Sequence, residues 1–124
     1  VPLPNLLVIG AAKAGTNTLW GALRSHPDVR VADRKELHFF DRAASWHRGA
    51  GWYADQFPSG GLVRVDATPA YARFPQVRDV PARAAEVVPG ARLVYLLRDP
   101  VERIRSHYLH ERSHGNEPLP FARA

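Results

Sequence analysis

Apolar residues in this chain fall in short blocks punctuated by glycine and proline, and the blocks switch between two periodicities. Residues 5–9 are a run rich in Leu, Val and Ile that ends at Gly10, the pattern of a strand buried on both faces. Residues 10–15 are a loop of small residues. Residues 16–25 then place Leu19, Ala22 and Leu23 at helical spacing, and His26-Pro27 stops the helix. A short strand is predicted at 29–31, and one or two helical turns at 52–57, ended by Pro58 and Gly60-Gly61. Residues 62–66 alternate as a strand does, up to the break at Thr68-Pro69. Asp79 is the predicted N-cap of a helix reaching about Val88, with Pro81 in its first turn and Pro89-Gly90 as its stop. Residues 92–97 read as the clearest buried strand, and after Arg98-Asp99-Pro100 a helix is predicted over 101–112.

Strands alternating with helices predict a single α/β domain over residues 1–124 with a mainly parallel sheet. Ligands on such sheets bind at the carboxyl ends of the strands. The loops at 10–18 and 98–106 both leave apolar strands at that end, so one shared site is expected.

Composition narrows the chemistry only slightly. Cysteine is absent, which excludes disulfides and thiolate zinc sites and permits a cytoplasmic location. No apolar run is long enough to span a bilayer. The net charge of +5 suits an anionic partner, with nucleic acid, membrane surface and phosphorylated cofactor all open on charge alone. The lack of methionine and the Pro-rich end at 117–124 lead us to expect a fragment, truncated on its C-terminal side.

Spacing carries more information than charge. Gly10 to Thr18 reads Gly-Ala-Ala-Lys-Ala-Gly-Thr-Asn-Thr between strand and helix. Amide groups at a helix N-terminus bind anions, and glycines let the backbone approach an oxyanion closely. Gly10 and Gly15 have Walker spacing, but Thr16 and Asn17 stand where a nucleotide triphosphatase needs Lys and a magnesium-binding hydroxyl. The lysine lies inside the loop instead, at Lys13. A sulfuryl group carries less negative charge than a terminal phosphoryl, so its transfer without a metal is physically reasonable, and one ammonium can stabilise the leaving phosphate.

The second stretch places Arg98 at a strand end and Ser106 about two helical turns on. A guanidinium and a hydroxyl converging on one phosphate make a sound anion grip. Together, Lys13-Ala14-Gly15-Thr16 and Arg98-Asp99-Pro100-x-x-Arg103-x-x-Ser106-x-Tyr108 resemble the sulfotransferases that use 3′-phosphoadenosine 5′-phosphosulfate (PAPS). The resemblance implies a P-loop-like three-layer α/β/α fold. It implies that Lys13, Ala14, Gly15, Thr16, Asn17 and Thr18 hold the 5′-phosphosulfate, that Arg98 and Ser106 hold the 3′-phosphate, and that no metal takes part.

Lys35-Glu36-Leu37-His38-Phe39-Phe40-Asp41 resembles a stretch of the heparan-type and related bacterial members. There the glutamate is taken as the base, which implies Glu36 as general base, with His38 as the rival base and His38 and Asp41 lining the acceptor site. Asp66-Ala67-Thr68-Pro69-Ala70-Tyr71 resembles a further family segment, with Thr68 and Tyr71 as acceptor-lining candidates, but Ala67 replaces a lysine common in the heparan type. The implied acceptor is a small molecule, a glycan or a carrier-bound intermediate, through a hydroxyl or amine. Competing readings are a polyanion- or nucleic-acid-binding module without catalysis and a divergent nucleotide kinase. Trp20, Trp46 and Trp52 read as packing residues. His107, His110 and His114 with Glu111 allow a zinc pair by spacing but show no third ligand.

Overall fold

The computed structural model describes residues 3–123. A parallel sheet of four strands forms the centre: β1 (Leu6–Gly10), β2 (Val29–Val31), β3 (Val63–Ala67) and β4 (Arg92–Tyr95), in the order β2-β3-β1-β4. Among the described residues four α-helices lie between the strands, α1 (Thr16–Arg24), α2 (Ala43–Trp46), α3 (Gly49–Asp55) and α4 (Val80–Val87), and α5 (Pro100–Ser113) follows β4. The chain also makes short 3-10 turns at Pro69–Ala72 and Phe121–Arg123.

Side-chain alternation along β1 divides the core between the two sheet faces. Leu6 and Val8 join Val29, Val65 and Ala67 under α1, whose Leu19, Trp20 and Leu23 pack there. Leu7 and Ile9 face the other side, which carries the larger cluster of Leu37, Phe39, Phe40, Tyr53, Phe57, Tyr71, Val80 and Val88. Helices therefore lie on both faces, giving the expected α/β/α layering. Phe39 is the hub of the larger cluster. Its ring stacks on Tyr53 at 4.1 Å and meets Phe40 edge-on at 5.0 Å. Trp46 and Trp52 pack against the same cluster, as expected of packing residues.

Three local expectations change. The run at 92–97 is not a buried strand: β4 ends at Tyr95 and forms the sheet edge, with Leu93 61% and Leu97 82% exposed. Apolar content signals that a strand wants cover on both faces, but not whether this stretch of chain supplies it. Asp79 occupies the N-cap position of α4 without capping it, and its carboxylate pairs with Arg83 at 3.4 Å instead. The helical turns around Trp52 start earlier, at Gly49, and α2 precedes them unforeseen.

Candidate active site

The two spaced motifs meet because the strands that carry them are neighbours. β1 pairs in parallel with β4, and the pairing runs on past the strand ends through Leu96 N–H to Gly10 C=O (2.8 Å) and Ala11 N–H to Leu96 C=O (3.0 Å). The loops that follow then emerge side by side. Arg98 completes the junction by donating from Nη1 to the Lys13 carbonyl at 2.8 Å. Gly10 eases the close approach, since a Cβ there would sit tightly at 3.1 Å from the Tyr95 ring and 3.2 Å from Ala72 Cβ.

Gly15 is the N-cap of α1 at φ 96°, a left-handed conformation that glycine takes without steric cost. It brings no capping side chain, and the first turn holds no acidic residue. The amide groups opening α1 are thus left for an external acceptor, with the helix dipole behind them. Asp99 caps α5 by accepting from Glu102 N–H at 3.0 Å, with Pro100 at the first helical position. That cap fixes the direction of α5 and carries Ser106 to the same cavity as Arg98.

This cavity, of about 590 Å³, is lined by Lys13, Gly15, Thr16, Asn17, Thr18, Glu36, His38, Arg98 and Ser106 among others. Ala14, expected with them, is not among the lining residues. Lys35, Arg42, Arg73, His107, His110 and Glu111 also line it, and the motifs did not mark them for this role. Lys35 had a local signal as the neighbour of Glu36, while the spacing of His107, His110 and Glu111 suggested a metal pair rather than this cavity. Lys35 bonds Asn17 Oδ1 and lies 3.7 Å from Glu36 Oε1. Lys13 Nζ lies 2.9 Å from His110 Nδ1. The His110 pKa is lowered, first by desolvation and then by the Lys13 and His114 charges. Among the described residues no group of three or more His, Cys, Asp or Glu is placed to hold a metal ion.

Glu36 and His38 share an irregular segment in which both take positive φ, 56° and 53°. Such backbone costs on the order of 1–3 kcal/mol per residue and persists only where surroundings hold it. His38 Nδ1 lies 2.7 Å from Asp41 Oδ2, while Nε2 faces Glu36 Oε2 at 3.7 Å. With the carboxylate as acceptor, the imidazole donates from Nδ1 and leaves Nε2 toward the cavity. Asp41 itself is not a lining residue; it sits behind His38 with its side chain 5% exposed.

Thr68 and Tyr71 stand apart from the acceptor-lining role expected of them. Both are buried, and neither lines the cavity. Their hydroxyls turn inward to Asp66, at the carboxyl end of β3: Thr68 Oγ1 donates to Oδ1 at 2.7 Å and Tyr71 Oη to Oδ2 at 2.6 Å. Tyr53 Oη also donates to Oδ2, at 2.6 Å. Burial raises the Asp66 pKa, with the three hydroxyl bonds acting against it. Burial also pushes the Tyr53 and Tyr71 phenols up, with the Asp66 charge adding to it.

Comparison with known proteins agrees with this geometry. Residues 3–122 match the family model described as a sulfotransferase domain. Over 108 residues the chain is 41% identical to heparan sulfate glucosamine 3-O-sulfotransferase 3B1 of Mus musculus, covering 86% of this chain and 26% of that protein. It is 39% identical over 118 residues to bifunctional heparan sulfate N-deacetylase/N-sulfotransferase 3 of Mus musculus, covering 90% of this chain and 13% of that protein. The chain thus spans about a quarter or less of the length of these relatives. A crystal structure of a sulfotransferase from Alicyclobacillus acidocaldarius superposes with a TM-score of 0.80 at 27% identity, over 99% of this chain and 56% of that one. A glycine-bearing strand-loop-helix, a guanidinium tied to its loop, and a family match along almost the whole length converge: the chain belongs to the sulfotransferase domain family.

Proposed function

We propose that this chain carries the donor site and the general base of an enzyme that transfers a sulfuryl group from PAPS to a hydroxyl or amine. The observation that carries the reading is the junction at Lys13 and Arg98: cations from the two motifs line one cavity, joined by the 2.8 Å bond to the Lys13 carbonyl. The fit to the donor rests on three features. The amides that open α1 lack a protein cap, Lys13 stands beside them, and Arg98 and Ser106 supply a second anion grip. That second grip suits the 3′-phosphate. Thr16 after Gly15, in place of the lysine of a nucleotide triphosphatase, weighs against a kinase.

When bound, PAPS supplies a sulfuryl group on an activated phosphate. Lys13 balances the charge left on the 5′-phosphate as the sulfur–oxygen bond breaks. Glu36 takes the acceptor proton as the acceptor oxygen or nitrogen bonds to sulfur. Its carboxylate is half-exposed at the cavity, whereas His38 is held by Asp41 and orients toward it. The acceptor class is a glycan hydroxyl or amine, in keeping with the heparan sulfate named for the relatives.

Incubating the full-length protein with radiolabelled PAPS and a panel of glycan acceptors tests the reading. Label is expected on an acceptor with wild type. With Lys13→Ala, transfer is expected to fall by about 100-fold or more. Transfer by Lys13→Ala at the wild-type rate would overturn it.

A further inference from the structure

The Asp66 cluster lies outside the cavity, yet it is wired to the segment that bears the base. Tyr71 Oη donates to Asp66 and at the same time accepts the Phe39 backbone N–H at 3.1 Å. Tyr53, the second phenol on Asp66, stacks its ring on Phe39 at 4.1 Å and 6°. Phe39 is fully buried and follows His38 directly. One carboxylate thus anchors two aromatic arms, one on the Phe39 backbone and the other on its ring. The segment they grip holds Glu36 and His38 in positive-φ conformations that need outside support.

We propose that Tyr71, fixed by Asp66, is a positioning residue for sulfuryl transfer: its bond to the Phe39 amide sets where Glu36 stands at the cavity. This rests on the reading of Glu36 as general base. Thr68 supplies the contrast, because its hydroxyl serves the same carboxylate but makes no side-chain bond to the 36–41 segment. A purely structural cluster would treat the losses of Tyr71 Oη and Thr68 Oγ1 alike. A positioning cluster would not.

The test compares Tyr71→Phe with Thr68→Val in the full-length protein. Three quantities are read: kcat, the Kd for adenosine 3′,5′-bisphosphate, and amide hydrogen exchange of a peptide spanning 36–41. Both variants are expected to lower Tm. Tyr71→Phe is expected to lower kcat by about tenfold or more, since small misplacements of a reacting group are costly. It is also expected to speed exchange across 36–41 and leave nucleotide Kd within about twofold, whereas Thr68→Val leaves kcat and exchange near wild type. Equal effects of the two variants on kcat, or unchanged exchange in Tyr71→Phe, would overturn the proposal. Glu36→Gln separates the two readings. If that variant kept full kcat, the base assignment would fail by itself, while the exchange readout would still decide whether Tyr71 holds the segment.

Discussion

Replacing Arg98 with alanine should damage donor binding in two separable ways. The first is indirect: Nη1 no longer braces the Lys13 carbonyl, a bond of 2.8 Å at an exposed site. A bond of that kind contributes about 1 kcal/mol, so every nucleotide that uses the glycine loop should bind about fivefold more weakly. The second is direct, the loss of the guanidinium from the 3′-phosphate. Charge-assisted bonds contribute about 1.5–3 kcal/mol. The Arg98 side chain is 40% exposed and shares its charge with Glu102 at 3.6 Å, so the lower half of that range applies. That adds a further loss of about 10- to 40-fold, confined to ligands bearing the 3′-phosphate. Isothermal titration at fixed ionic strength, with adenosine 3′,5′-bisphosphate and adenosine 5′-phosphate as a pair, reads both parts. The bisphosphate should lose about 50- to 200-fold and the monophosphate about fivefold. Equal losses for the two nucleotides would refute the placement of Arg98 at the 3′-phosphate.

Other consequences follow from the same geometry. Glu36→Gln should lower kcat by about 10²- to 10⁴-fold while leaving the Kd for adenosine 3′,5′-bisphosphate unchanged, measured by steady-state kinetics beside titration. Gly15→Ala puts a Cβ on a left-handed residue that has nothing within 4 Å of it, so strain rather than collision sets the cost. A loss of about 1–2 kcal/mol is expected in denaturant melts. Asp66 has a raised pKa in the fold, first through burial, so its contribution to stability is fully present below its ordinary value of 3.8 and is lost as pH rises through the folded value. In that window stability should fall with pH by up to about 1.4 kcal/mol per unit, and Asp66→Asn should flatten this slope in urea titrations.

What the sequence revealed was local. The strand-loop-helix at 5–25 is legible because a buried strand needs an apolar run and a backbone anion site needs small residues next to a helix start. Arg98 and Ser106 are legible because a strand end and the first two turns of the helix that follows carry them to one place. The inward turn of Thr68 and Tyr71 was not legible. Their hydroxyls suggest a polar wall, but Asp66 recruits them together with Tyr53, and only the packing of α3 against the sheet brings that phenol in. Asp66 itself reads as the polar end of a strand, with nothing nearby to show that it is fully buried. Arg42 and Arg73 reach the cavity from separate loops, so no spacing links them to the motifs. The exposed face of β4 escaped for a related reason, since apolar content does not say what covers it.

The most direct measurement is a crystal structure of the full-length protein with adenosine 3′,5′-bisphosphate. The 5′-phosphate is expected against the amides that open α1 and Lys13 Nζ, with the 3′-phosphate on Arg98 and Ser106. A nucleotide bound elsewhere, or seated here with the 3′-phosphate away from Arg98, would contradict the assignment.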